Sequence, residues 1–216
     1  MKKTPYDDGF HQYLVEGAVF VGEAGIPMLM DLDNVQVPKE IVPFDKARAG
    51  RSSKNSYIHF YLHDKYFTPV LSATDRYLDL FKEHDGALTP DCTMLIGQSK
   101  CLQETNTYLN RAVGFYLQKQ GIPVIPNIRW SDERSFEYCF LGVPKHYIVS
   151  VSTHGCIRSN QQKECFKTGL YAMLETLEPR DILVHGYMPE TVFGEFTKYT
   201  NFHRYPSVFE QTHGKG

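Results

Sequence analysis

At 216 residues, with 23 lysines and arginines against 25 aspartates and glutamates, the chain has a formal charge of -2. That length accommodates one core of ordinary size, and the near-neutral balance excludes a global positive field for nucleic acid, so only a local patch could recruit it. No apolar run reaches the length of a membrane span, and Met1-Lys2-Lys3 leads into TPYDDG rather than an apolar signal segment. A cytoplasmic protein with no membrane partner is the expectation. Five cysteines, Cys92, Cys101, Cys139, Cys156 and Cys165, form no CxxC pair. They argue for reduced thiols used as small packing residues, and against a disulfide framework or a zinc site.

Residues 1–24 read as an N-terminal segment laid on the body of a single domain spanning 1–216. Ile26 to Asp33 reads as a strand with Met28, Met30 and Leu32 on one face and Asp31 and Asp33 on the other. Residues 34–56 read as a polar loop whose Lys46, Arg48, Arg51 and Lys54 form a basic patch. Tyr57 to Asp64 alternates Ile58, Phe60 and Leu62 against His59, Tyr61 and His63, the period of a strand. Helical spacing follows over Thr74 to His84, then a short strand over Thr93 to Gly97 and a long amphipathic helix over Leu102 to Gln120, stopped by Gly121. The remaining alternation is strand Val124 to Arg129, helix Asp132 to Phe140, strand Tyr147 to Thr153, helix Gln161 to Leu177, strand Ile182 to Gly186, helix Glu190 to Tyr199 and strand Phe202 to Tyr205, with a polar tail at 207–216.

This order predicts an α/β fold of repeated βα units with a mainly parallel sheet. The strand faces favour one closure over another. His59, Tyr61 and His63, Asn127 and Arg129, Ser150 and Ser152, and His185 lie opposite Ile58 and Phe60, Val124 and Ile128, Val149 and Val151, and Ile182 and Val184. Doubly wound sheets keep both faces apolar, so a polar inner face favours an incomplete or distorted TIM-like barrel over an open three-layer sandwich.

Ligands of parallel sheets sit at the carboxyl ends of the strands. Those ends supply Asp31 and Asp33, His59, Asn127, Arg129 and Trp130, Ser152, Thr153 and Gly155, and His185 as ligand-binding candidates. Arg129 on an inner face calls for an anion, either a ligand or, as a structural pair, Asp31 or Asp33. Arg111 reads as a surface or helix-packing residue. The turn Thr153-His154-Gly155-Cys156 could hold a phosphate through its backbone N–H groups, although it matches neither a Walker loop nor a dinucleotide fingerprint. Cys156 as nucleophile, His154 as base and Asp132 as orienting carboxylate are the catalytic candidates. No metal site is expected: HxH and HExxH are absent, and His59 and His63, four apart on a strand, lie about 13 Å from one another. The sequence does not identify a cofactor.

The run LNRAVGFYLQKQGIPVIPNIRWSDERSFEYCFLGVPKHYIVSVSTHGCIRS adds a resemblance. With Asn110-Arg111 followed by Gly114, then Gly121-Ile122-Pro123 through Asn127, Arg129-Trp130, Asp132-Glu133 and Ser152 to Cys156, the chain resembles a bacterial and phage family known as domain of unknown function 4417. The resemblance implies a phage or mobile-element setting and assigns no catalytic residue. Two functions follow as expectations. One is a pocket for a small anionic ligand, a nucleotide or phosphate ester, held or hydrolysed; the other is a non-catalytic module binding a host or replication protein. Nucleic acid is the reserve reading, resting on Lys46 to Lys54 alone.

Overall fold

The protein is seen here as a computed structural model that describes residues 11–33 and 35–213. The first ten residues of the expected N-terminal segment, Asn34 and the last three residues of the expected tail lie outside the described residues. A short antiparallel hairpin comes first, β1 (Phe20–Val21) with β2 (Ile26–Pro27). Four parallel strands then form one sheet in chain order: β3 (Ile41–Pro43), β4 (Tyr57–His59), β5 (Gly86–Leu88) and β6 (Val124–Ile125). Three more, β7 (Ile148–Ser152), β8 (Asp181–His185) and β9 (Asn201–Tyr205), form a second parallel sheet. A parallel bridge between Asn127 and Ser150 joins the two, with Ile128 N donating to Ser150 O at 2.8 Å and Ser150 N to Pro126 O at 2.9 Å. The expected α/β class and mainly parallel pairing are therefore what the chain adopts.

Strand alternation sorts the side chains into three clusters. Val42, Ile58, Phe60, Ala87 and Val124 face helices on the first sheet, among them α1 (Phe44–Arg48), α2 (Thr68–Ser72), α3 (Leu78–Lys82) and α4 (Lys100–Lys119). Val149, Val151, Ile182 and Val184 pack on α5 (Phe136–Cys139), α6 (Asn160–Leu177) and α7 (Glu190–Phe193). On the opposite faces Tyr57, Leu88, Ile125, Ile148 and Leu183, drawn from both sheets, share a third cluster. The face that sequence reads as polar thus has an apolar lower tier and a polar upper tier, the latter at the carboxyl ends. Each fully buried aliphatic or aromatic side chain in these clusters contributes roughly 1.5–3 kcal/mol relative to exposure.

Local chemistry sets the helix ends. α4 stops where Gly121 takes φ +79°, a conformation suited to glycine. α6 starts in a capping box: Ser159 Oγ accepts from Gln162 N at 3.2 Å while the Gln162 side chain returns to the Ser159 amide. It ends at Leu177, with Glu178 left-handed and Pro179 next. Two glycines permit close approach. A Cβ on Gly114 of α4 would meet Thr89 Cγ2 at 2.6 Å, and one on Gly169 of α6 would meet Trp130 Nε1 at 2.1 Å.

Four sequence expectations are corrected. Met28 to Asp33 is not a strand of a parallel sheet: beyond the hairpin the backbone is irregular, and Met30 is held by Gln118, whose side chain bonds both its amide and its carbonyl. The strand expected at Thr93 to Gly97 is instead Gly86–Leu88, where Gly86 is required because a Cβ would strike the Pro123 carbonyl at 2.6 Å. The expected 34–56 loop contains β3 and α1, hidden by the short apolar stretch Ile41-Val42-Pro43 amid charge, and the expected tail includes α8 (Val208–His213).

Candidate functional site

The upper tier is built from the residues following or ending the strands. His59, Asn127, Ser150, Ser152 and His185 are all buried. The Tyr61 ring stacks on His185 at 4.4 Å and 14°, and the His59 and His185 centroids lie 5.0 Å apart, so β4 of one sheet meets β8 of the other. The Tyr61 hydroxyl donates to Asn127 Oδ1 at 3.0 Å and is also hydrogen-bonded to Ser150 Oγ. Burial and the Asp91 charge push the phenol well above its usual range, keeping it a neutral donor.

Asn127 is the centre of this tier. Its amide N donates to Thr89 Oγ1 at 2.7 Å, its Nδ2 to Asp91 Oδ1 at 2.8 Å, and its carbonyl accepts from Asn110 Nδ2 at 3.0 Å and an Arg111 nitrogen at 3.2 Å. Arg111 is 1% exposed and bonds the carbonyls of Leu141 and Cys139 as well as Asn110 Oδ1. It meets no carboxylate among the described residues, and burial lowers its pKa to about 10. Of the sequence expectation of a surface or helix-packing arginine, the surface limb is corrected: Arg111 is a buried tie between α4 and the carbonyl end of α5.

Arg129 pairs at 3.5 Å with Asp91, not with Asp31 or Asp33, both of which are exposed. The Asp91 charge raises the guanidinium pKa; burial pushes the Asp91 carboxyl up, against the opposing pull of Arg129 and Asn127. At that separation the pair does not fully offset the desolvation of the carboxylate. Arg129 lines a cleft of about 800 Å³ together with Trp130, Ser152, Gly155, Cys156 and the start of α6. With Gln162 N taken by Ser159, the Asn160 and Gln161 amides at the start of this helix have no partner among the described residues.

The other candidates divide. Thr153 Oγ1 donates to Tyr187 O at 2.7 Å, and the turn closes through Cys156 N on Thr153 O at 3.0 Å, with Gly155 at φ +77°. His154 is exposed, its ring 6.5 Å from that of His185. Cys156 Sγ is bonded to the His154 carbonyl at 3.6 Å, not its ring, and burial raises the thiol pKa. Asp132 caps the turn after it and chelates Arg134 at 2.6 Å. Among the described residues no hydrogen bond links the side chains of Asp132, His154 and Cys156. His59 and His185 line another cavity, of about 370 Å³, along β3 and β9. Ser152, which lines the larger cleft, joins the two through its hydroxyl, 3.1 Å from His185 Nδ1.

Sequence reasoning missed Asp91, Asn110 and Arg111 as parts of one network. Asp91 follows directly on the Gly86–Leu88 strand and is found once that strand is placed; Asn110 and Arg111 lie on the face of α4 turned to Asn127, one turn from the small residue Gly114. No helix among the described residues is long and apolar enough to cross a membrane, and none of them form a group of three His, Cys, Asp or Glu placed to hold a metal.

With Asn110-Arg111, Asn127, Arg129 and the Ser152 to Cys156 turn in one region, the chain matches the family described as a domain of unknown function (DUF4417) over residues 18–206. It belongs to that family. It is 34% identical over 131 residues to the Gene 1 protein of Mycobacterium phage L5, covering 61% of this chain and 57% of that protein. It is 33% identical over 129 residues to the Gene 1 protein of Mycobacterium phage D29, covering 60% and 48%. The chain therefore spans about half the length of these phage relatives. No solved structure matches it.

Proposed function

We propose that this member of the family holds a small anionic ligand, a nucleotide or related phosphate ester, in the Arg129 cleft. The observation carrying the reading is that Arg129, its side chain 23% exposed, lines a cleft of about 800 Å³ and among the described residues makes a single long side-chain contact, to Asp91. That volume is within the range of small-molecule sites, and a guanidinium with most of its donors uncommitted suits a carboxylate or phosphate. The free Asn160 and Gln161 amides of the 18-residue helix α6 add positive potential at the same cleft. We further infer that the two sheets, bridged at Asn127 and Ser150 and drawn together at His59 and His185, curve into an incomplete barrel open between β3 and β9.

The reading is of binding, because the expected Cys156 nucleophile is not activated: burial raises its thiol pKa and no histidine ring bonds to it among the described residues. Arg129→Ala is expected to abolish thermal stabilisation by every active member of a nucleotide and phosphate-ester panel; unchanged melting shifts would sink the proposal. The second reading, an interaction module of a mobile element acting on a host or replication protein, draws on Leu95 and Ile96, 57% and 68% exposed at the cleft. It predicts one stable partner in pull-downs, retained when Arg129 and Asp132 are replaced and lost when Leu95 and Ile96 become serine.

A further inference from the structure

The cavity between β3 and β9 has a feature the larger cleft lacks. His59, 3% exposed, accepts a hydrogen bond from Tyr61 N on Nδ1 at 3.1 Å. The neutral ring therefore carries its proton on Nε2, and Nε2 has no partner among the described residues. His185, 4% exposed, engages Ser152 through Nδ1, and its Nε2 is likewise unpartnered among them. Among the described residues no buried side-chain nitrogen is sealed off without a partner, so both Nε2 atoms reach the cavity, where the two rings, 5.0 Å apart, turn their open edges to an occupant.

The charges around the cavity identify its sign. Lys46 and Arg51 line it and pair with no carboxylate among the described residues. Arg204 also lines it but is bound to Glu210, and Glu40 is the carboxylate in the lining. Protein groups already acting on the imidazoles are Lys46 on His59, His154 and Glu210 on His185, the two rings on each other, and Tyr61 stacked beside them. The His59 Nε2–H, the open Nε2 of His185 and two cations without a carboxylate partner among the described residues suit a compact oxyanion, which selects the His185 tautomer protonated on Nε2. They suit a metal less, for which the described residues offer no group of three His, Cys, Asp or Glu. We propose that this cavity is a phosphate site, taking inorganic phosphate or the terminal phosphate of a monoester on His59, His185, Lys46 and Arg51.

The proposal stands independently of the Arg129 reading. The test is a titration of the ¹⁵N-histidine-labelled protein, reading ring resonances, with inorganic phosphate, with phenyl phosphate and with a single-stranded oligonucleotide lacking terminal phosphates. Phosphate and phenyl phosphate should shift the His59 and His185 rings saturably. Binding should weaken about tenfold or more in the double variant Lys46→Ala, Arg51→Ala, a loss of about 1.4 kcal/mol, and stay unchanged in Arg129→Ala. Both double-variant positions are exposed, so folding is not at risk. Absence of saturable shifts, unchanged affinity in the double variant, or response to the oligonucleotide alone would each overturn it. Loss of the nucleotide response in Arg129→Ala with phosphate binding intact would separate the two sites.

Discussion

Two buried polar regions lie within one molecule, and they are settled in opposite ways. Around Arg111 each guanidinium nitrogen meets a fixed acceptor: Leu141, Cys139 and Asn127 carbonyls and Asn110 Oδ1. Around His59 and His185 the Nε2 atoms face a cavity and have no acceptor among the described residues. Buried polarity closed on protein acceptors reads as scaffold, and polarity turned to a cavity reads as a site, because a ring nitrogen within reach of the cavity can exchange solvent for a ligand without leaving a group unpaired. Arg129 is intermediate, paired once and loosely with Asp91 and open to the larger cleft.

The contrast is testable from its strongest limb downward. Arg111→Met should destabilise by about 3–5 kcal/mol, since it strands several buried carbonyls at once; a urea midpoint close to that of the unmodified chain would break the scaffold half of the comparison. Acidification should act on the other half. Burial and the neighbouring His154 depress His185 to about 4, and burial with His185 and Lys46 nearby depresses His59. Groups with folded values below the unfolded 6.5 favour the fold fully above that value and lose the contribution as pH falls through the folded one. Stability should drop by roughly 2 kcal/mol between pH 7 and 5 on His185 alone, with His59 adding in the same direction. A His59→Asn, His185→Asn variant should show a flatter profile over that range.

A smaller effect is expected at Gly169→Ala, where the new methyl meets Trp130 at 2.1 Å and the wall of the larger cleft must shift. A loss of about 1–2 kcal/mol is expected, and because Trp130 is the chain's single tryptophan its fluorescence reports the displacement directly. Smallest of all, Lys46→Ala with Arg51→Ala should leave the urea midpoint where it was, as both side chains are exposed and without a carboxylate partner among the described residues. A large loss there would mean that the basic loop braces the fold, which would blur the line between scaffold and site.

Much of this was legible in the residue order, for identifiable reasons. Alternation in Tyr57 to Tyr61 and Ile148 to Ser152 correctly separates helix-facing from inward side chains, because a period of two admits only two faces. The same pattern hid the apolar lower tier: Tyr57, Leu88, Ile125, Ile148 and Leu183 share the inward face with His59, Asn127 and His185, and only their height along the strands distinguishes them. Short strands were the weak point. Gly86–Leu88 and Ile41–Pro43 have three residues each, too few for a period to register, so Asp91 and the proximity of Lys46 to His59 were lost with them. Asp31 and Asp33 alternate convincingly yet remain exposed, since Gln118 holds the neighbouring Met30 backbone without any strand partner.

The bridge between Asn127 and Ser150 has a mechanical consequence. It is a narrow weld between two parallel sheets, and the Tyr61 hydroxyl, two residues beyond the end of β4, grips both of its residues. Amide protons of Ile128 and Ser150 should therefore act as a strain gauge for parting of the halves, exchanging together and faster once Tyr61 is replaced by phenylalanine, while those deep within β4 and β8 remain slow.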